Sequence, residues 1–100
     1  MKRDAALAII KAHAPELREL GVLSVSLFGS TARDEAAEGS DVDVAVRLEN
    51  VPGGFAYFGR LGDIKRRLTA LLSARVDVIA EPVPRPQIQQ EIDRDRCLAF

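Results

Sequence analysis

Three short segments of the sequence alternate apolar with polar residues, and this alternation limits the possible folds more than any other feature. The segments are VLSVSLF (22–28), VDVAVRL (42–48) and RVDVIA (75–80). Successive side chains of a strand point to opposite faces of a sheet. Each segment therefore predicts a strand that buries one face and leaves the other polar.

Between these segments the apolar residues recur every three or four positions, which is typical of helices that bury one face. The predicted helices are residues 3–20, 30–38, 55–73 and 87–95. Pro15 lies inside the first of them, and proline removes a helical hydrogen bond, so we expect a kink or a break there. Helices that alternate with strands predict an α/β (α+β) fold with a small mixed sheet, and we expect residues 1–100 to form one domain.

The polar positions of the three predicted strands fall on one face of the sheet. The apolar positions expected to pack against the helices are Leu23, Val25, Leu27, Val42, Val44, Val46, Leu48, Val76 and Val78. The opposite face then receives Ser24, Ser26, Asp41, Asp43, Arg47, Arg75 and Asp77. We therefore expect helices on one face and an open polar face on which three aspartates lie together.

Two aspartates separated by one residue stand at the start of the second strand. Asp41 and Asp43 project from the same face about 6–7 Å apart, and a hard cation such as Mg²⁺ makes neighbouring carboxylates favourable. Asp77, on the third strand, is a candidate for a further metal ligand or for a base that activates a hydroxyl. Taken alone, an Asp-Val-Asp strand is more often a solvated surface than a metal site.

A Gly-Ser pair follows the first strand and is a candidate phosphate site. Gly29 lets the backbone approach a phosphate closely because it has no Cβ, and Ser30 adds a hydroxyl beside the free N–H groups of a helix start. Arg33, one turn on, is a candidate contact to a phosphate oxygen. An isolated Gly-Ser pair is most often a turn with a helix cap. Its occurrence with three aspartates on one face indicates nucleotidyl transfer instead.

The composition is that of a globular protein and narrows the classes of function. Hydrophobic residues make up 47% of the chain and charged residues 29%, and the net charge is −1. This balance argues against nucleic acid or an anionic membrane as the main partner. The apolar run near the N-terminus is broken by Lys11 and His13, which makes it a poor signal peptide. We therefore expect a cytoplasmic protein with no membrane partner and no direct binding of nucleic acid.

The pattern Gly29-Ser30, ten residues, Asp41-Val-Asp43 resembles the signature of the DNA polymerase β-like nucleotidyltransferase superfamily. From about Val22 to about Ala80 the sequence looks most like the minimal nucleotidyltransferases (MNT) of that superfamily. The resemblance implies the nucleotidyltransferase fold, with the glycine and serine on the triphosphate of ATP. It also implies that Asp41 and Asp43 hold Mg²⁺ and that Asp77 completes the metal site. One departure is Asp34, where many relatives carry glycine.

The resemblance also implies a partner. Minimal nucleotidyltransferases are commonly the antitoxins of HEPN-domain ribonuclease toxins, and they transfer AMP from ATP to a tyrosine hydroxyl of the toxin. On this basis we expect a hetero-oligomer with a HEPN toxin. Two alternatives stay open: a non-catalytic antitoxin that neutralises its partner by occlusion, and the catalytic half of a small-molecule nucleotidyltransferase.

The segment GGFAYFGR, residues 53–60, combines glycines with three of the five aromatic residues of the chain. One interpretation is a loop anchored into the core. The other is a mobile flap or a partner-binding surface.

Overall fold

The computed structural model describes residues 1–37, 39–49 and 54–100, and the side chain of Phe55 lies outside this description. The described elements, in chain order, are α1 (Arg3–Ala12), α2 (Ala14–Glu19), β1 (Val22–Phe28), α3 (Gly29–Ala32), β2 (Val42–Leu48), α4 (Gly54–Leu72), β3 (Val76–Glu81), α5 (Pro86–Asp95) and β4 (Cys97–Leu98). The expected break near Pro15 is present, since α1 ends before it and α2 begins with it in its first turn. Gly53 and the side chain of Phe55, part of the glycine- and aromatic-rich segment, lie outside the described residues.

The strands form one mixed sheet in the order β3-β2-β1-β4. Strand β1 is antiparallel to both β2 and β4, whereas β2 and β3 are parallel. The α/β class with a small mixed sheet is thus confirmed. Strand β4 was not predicted, because its two residues are too few to show an alternation.

The main core lies between the apolar face of the sheet and helices α1, α2 and α4. The largest fully buried side chains of this core are Ile10, Leu17, Val22, Val25, Leu27, Val42, Val44, Val46, Ile64, Leu68 and Leu72. Leu23 was predicted to face this core, and that prediction is wrong. The pairing of β1 with β2 shifts register between Val22 and Ser24, and such an irregularity turns the following side chain outward. Leu23 is 56% exposed, and Val22 is buried in its place.

Helix α5 covers part of the polar face of the sheet. Ser26 was expected on an open surface, but it is fully buried, and Arg96 Nη1 donates a hydrogen bond of 3.0 Å to Ser26 Oγ. Ala45, the register partner of Ser26, is buried as well, and so is Ile92 of α5. Burial of a serine hydroxyl costs free energy unless it is hydrogen-bonded, and Arg96 meets that requirement. The aspartates therefore lie beside a helix rather than on a bare sheet.

Among the helices of the described residues, none is both long enough and apolar enough to span a membrane.

The residue that follows helix α4 has a strained backbone. Ser73 follows Leu72, is exposed, and has a φ of +50°, in the left-handed region where glycine is favoured. We expect Ser73→Gly to raise the free energy of unfolding by about 0.5–1 kcal/mol, because the Cβ that makes this conformation unfavourable is removed. Urea unfolding measures the effect. Ser73→Ala, which keeps the Cβ, is the matched control, and an equal gain in both variants would contradict this explanation.

Candidate active site

Three site residues predicted from the sequence meet where β1 ends. Asp43 of β2 pairs with Phe28, the last residue of β1, and with Asp77 of β3. Because register partners on neighbouring strands point to the same face, the two carboxylates lie side by side on the polar face. Gly29 follows Phe28 directly and so lies next to Asp43. The structure thus brings Gly29, Asp43 and Asp77 together.

Gly29 leaves the space that the Asp43 carboxylate occupies. Its φ is +69°, and a Cβ built on it would lie 2.5 Å from Asp43 Oδ2. Real Cβ atoms do not approach another heavy atom this closely, so any other residue here would displace the carboxylate. The glycine is therefore required both by its backbone conformation and by its contact with Asp43.

We expect Gly29→Ala to lower the free energy of unfolding by about 2 kcal/mol, because backbone strain and displacement of Asp43 add together. Gly39→Ala is a matched control: Gly39 has a φ of +84°, but apart from its chain neighbours no atom of the described residues lies within 4 Å of the Cβ position. It should cost about 1 kcal/mol, from strain alone. Urea unfolding of both variants measures the difference, and equal losses would show that the contact with Asp43 has no energetic consequence.

Negative charge accumulates around Asp43. Burial raises the pKa of the Asp43 carboxyl, and the neighbouring charges of Asp77, Asp41 and Glu91 raise it further, while Arg33 opposes them. A pKa raised in this way means that the ionised form is unfavourable in the folded protein. A bound cation would reverse that balance.

Asp41 lies against Arg75, and its charge still reaches Asp43, whose pKa it raises. Arg75 Nε lies 3.0 Å from Asp41 Oδ1, and Arg75 Nη2 donates a hydrogen bond of 2.8 Å to the Gly39 carbonyl. The alignment at Oδ1 is not that of a hydrogen bond, and this buried oxygen has no hydrogen-bond partner among residues 1–37, 39–49 and 54–100. Accordingly, no three metal-binding side chains of the described chain are gathered around one point.

The residue types nevertheless fit a hard divalent cation. The donors are carboxylate oxygens, which Mg²⁺ prefers. Asp43 carries an unfavourable charge, and Asp41 Oδ1 has no hydrogen bond within the described residues. Asp43 and Asp77 would hold such an ion, and Asp41 would join them once Arg75 releases it.

Arg33, the candidate phosphate contact, forms ion pairs with two carboxylates. Its Nη1 donates a hydrogen bond of 2.6 Å to Asp95 Oδ2, and its Nε donates one of 3.1 Å to Glu35 Oε2. Because Asp95 belongs to α5 and its side chain is only 5% exposed, Arg33 ties the chain after α3 to that helix. Its guanidinium is therefore already engaged by two carboxylates.

The helix after the Gly-Ser pair is shorter than predicted. A helix was expected over residues 30–38, but α3 ends at Ala32, and Asp34 has a φ of +58° that no helix accommodates. Ser30, half-buried in α3, accepts a hydrogen bond of 2.8 Å at its carbonyl from the Glu35 amide. Asp34 Oδ1 accepts one of 3.1 Å from the Arg3 amide. The left-handed backbone explains why glycine suits position 34.

The structure adds site neighbours that the sequence interpretation did not name. Glu91 of α5 is close enough to raise the pKa of Asp43, and the Thr31 Oγ1 of α3 is buried without a partner among the described residues. The helical phase could have indicated Glu91, because Ile88 and Ile92 mark the inward face of α5 and position 91 lies beside both. No sequence pattern distinguishes Thr31.

Comparisons with known proteins identify the family of this chain. A family model described as a nucleotidyltransferase domain matches residues 10–97. The protein adenylyltransferase MntA of Thermococcus cleftensis is 36% identical over 89 residues, which are 88% of this chain and 86% of the relative. A protein of Methanocaldococcus jannaschii, provisionally named for the same activity, is 34% identical over 89 residues, with 87% of each chain covered.

Solved structures show the same fold. One, provisionally described as a minimal nucleotidyltransferase, has a TM-score of 0.78 at 29% identity and covers 97% of this chain and 95% of its own. A chain from the complex of a tri-AMPylated Shewanella oneidensis HEPN toxin with its MNT antitoxin has a TM-score of 0.63 at 16% identity. There the match covers 94% of this chain and 71% of that chain. Because the family model matches residues 10–97 and the relatives are more than 30% identical, this chain belongs to the nucleotidyltransferase domain family.

Proposed function

We propose that this chain is a Mg²⁺-dependent protein adenylyltransferase that moves AMP from ATP to a tyrosine hydroxyl of a HEPN-domain toxin and so acts as its antitoxin. The observation that carries the proposal is the contact of the Asp43 carboxylate with Gly29, beside Asp77 on the next strand. This arrangement puts candidate metal ligands directly beside the buried glycine turn that precedes Ser30, the candidate phosphate site.

The relatives support the same activity. MntA of Thermococcus cleftensis is named a protein adenylyltransferase, and the Shewanella oneidensis complex contains a tri-AMPylated HEPN toxin with an MNT antitoxin. Another structure of the same fold is a toxin–antitoxin complex with AMP-PNP, with a TM-score of 0.69 at 18% identity. ATP and Mg²⁺ are cytoplasmic reactants, so we place the activity in the cytoplasm, with residues 1–100 acting as one domain.

In the proposed reaction the chain binds ATP, orients the reacting groups and accepts a proton. The backbone N–H groups at Gly29 and Ser30 would hold the triphosphate, while Asp41, Asp43 and Asp77 would hold Mg²⁺. When bound, Mg²⁺ neutralises phosphate charge as the α-phosphorus is attacked. The acceptor oxygen forms a bond to the α-phosphorus, the bond to pyrophosphate breaks, and an Asp77 carboxylate oxygen takes the hydroxyl proton.

We propose that Arg33 positions a helix rather than contacts a phosphate. The sequence suggested that it contacts a phosphate oxygen, but its ion pairs with Asp95 and Glu35 occupy the guanidinium. We propose that Arg33 positions α5 beside the site and lowers the pKa of Asp43 from a distance, as its charge does in the structure.

Two labelled forms of ATP test the reaction. The chain is incubated with Mg²⁺, the protein encoded by the neighbouring gene, and ATP labelled at either the α- or the γ-phosphate. We expect label from the α-phosphate on a tyrosine of that protein and none from the γ-phosphate. Label from the γ-phosphate would show phosphoryl transfer, and label on neither would contradict the proposal.

A further inference from the structure

One edge of the sheet is open next to the candidate active site. Strand β3 is the outermost strand beside β2, and no strand of the described residues pairs with its other edge. The Val42 amide donates a hydrogen bond of 2.9 Å to the Arg75 carbonyl. In a parallel ladder the residues that bond the neighbour alternate along the strand. The N–H and C=O groups of Val76, Val78 and Ala80 therefore point outward from the sheet.

The part of this edge from Val78 to Ala80 lines an apolar groove of about 390 Å³. Tyr57 and Phe58 of α4 form one wall, and Val83 and Ile88, before and in α5, form the other. Phe58 is 69% exposed, and the rings of Tyr57 and Phe58 contact edge to face at 5.5 Å between centroids. A strand added to β3 would point its side chains alternately toward the two walls.

A positive charge marks one end of the groove and so sets the direction in which a strand would bind. Among the described residues, Arg85 is the one charged side chain that lines it. Arg85 is exposed and takes part in none of the ion pairs formed within that part of the chain. Arg85 follows the C-terminal end of β3, whereas Asp77 lies near the N-terminal end. An acidic side chain on the occupant would pair with Arg85, at the end remote from the aspartates.

We propose that an extended segment of the acceptor protein binds here as an added strand, with its hydroxyl beside Asp77 and an acidic residue near Arg85. Asp77 and Glu81, the last residue of β3, are four residues apart, a span of about 13 Å in a strand, and Arg85 follows that end. Apolar side chains between them would fill the groove. This inference rests on the proposed function, because it assigns the docking surface of the protein that receives AMP.

The backbone favours a peptide over the base of a nucleotide as the occupant. Outward N–H and C=O groups recur at Val76, Val78 and Ala80, every second residue, which matches the repeat of another extended chain. A nucleotide base offers no such repeat. The groove also lies along the strand that carries Asp77, so that a bound strand would pass the reacting centre.

Amide signals of the isotope-labelled chain report the docking. The probe is a peptide of about ten residues that alternates valine and threonine and carries one tyrosine, with a glutamate four residues from it. A peptide with the reversed sequence and a peptide with a scrambled sequence are measured beside it. We expect shifts and slower hydrogen exchange at Val76, Val78 and Ala80. Ala80→Pro, which removes one outward N–H, should weaken binding about tenfold, while Ala80→Val should bind as the wild type does.

A charge reversal tests the polarity. Arg85→Glu should bind the glutamate peptide several-fold more weakly than the wild type does. It should bind normally a peptide in which lysine replaces that glutamate. Affinity for ATP should stay unchanged in every variant. Three results would overturn the proposal: unchanged peptide binding by Ala80→Pro, amide signal shifts confined to residues away from β3, and no binding of the peptide in either sequence order. Competition between peptide and ATP, with loss of ATP affinity in Phe58→Ser, would identify a nucleotide base as the occupant and overturn it too.

Two further readouts separate the outcomes. If the chain self-associates in sedimentation and Ala80→Pro abolishes the association, a second copy occupies the edge and the proposal fails. If the peptide binds as expected but no AMP reaches the partner protein, the docking surface stands and the proposed function fails. If Ala80→Pro modifies the partner as fast as the wild type does, the docking surface fails and the proposed function stands.

Discussion

Arg96→Met should lower the free energy of unfolding by about 3 kcal/mol, because it leaves the Glu81 carboxylate buried without its main partner. Arg96 Nη1 and Nη2 donate to Glu81 Oε1 and Oε2 at 2.8 and 2.5 Å, and the Glu81 side chain is 1% exposed. The Arg96 side chain is 24% exposed, so the loss of stability falls at the lower end of the range for buried ion pairs. Urea unfolding measures it.

The pH dependence identifies the cause. The hydrogen bonds from Arg96, with the one from Gln89, lower the pKa of Glu81 below 4.5, its ordinary value. A carboxyl whose pKa is lower in the folded state stabilises the protein above the unfolded pKa, and this contribution is lost as the pH falls through the folded pKa. The difference between wild type and Arg96→Met should therefore shrink below about pH 4.

A second variant separates charge from packing. Glu81→Leu combined with Arg96→Met removes both charges, and part of the stability should return, because no charge is then left buried without a partner. A loss below about 1 kcal/mol in the single variant, or an equal loss in acid and at neutral pH, would contradict this account.

Asp43→Asn should reduce AMP transfer by at least about 100-fold, since it removes a proposed metal ligand at the reacting centre. Without metal, the same variant should be more stable than the wild type at neutral pH. Burial and neighbouring negative charges raise the pKa of Asp43, so stability declines as the pH rises through that pKa. Thermal unfolding with and without Mg²⁺ measures both effects.

The metal dependence provides the control. Mg²⁺ should stabilise the wild type and leave Asp43→Asn unaffected, because an ion that binds only the folded state shifts unfolding by mass action. Asp4→Asn is the matched substitution, since that carboxylate is exposed, on α1; it should change stability by no more than about 0.5 kcal/mol. Equal stabilisation of all three proteins by Mg²⁺ would show that Asp43 does not bind it.

Much of the sheet is predictable from the sequence because alternation is a local property. The bounds of β1 and β2 match the predicted segments 22–28 and 42–48, and β3 differs by one residue at each end. The irregularity that exposes Leu23 depends on how β1 pairs with β2, and pairing register is not written in either strand alone.

Strand phase also predicts the central contact of the site. Asp43 and Asp77 are register partners, in agreement with their predicted place on one polar face of the sheet. The ion pairs of Arg33 with Asp95 and of Arg75 with Asp41 join residues 62 and 34 positions apart in the chain. Such pairs form only after α5 and β3 have packed, so the sequence alone did not indicate them.

The measurement that tests the central claim most directly is the intact mass of the partner protein after incubation with this chain, ATP and Mg²⁺. The partner is the protein encoded by the neighbouring gene, and Asp41→Asn/Asp43→Asn is compared with the wild type. We predict that the wild type adds at least one AMP, localised to tyrosine, and that the double variant adds none. An unmodified partner, or equal modification by both proteins, would contradict the account.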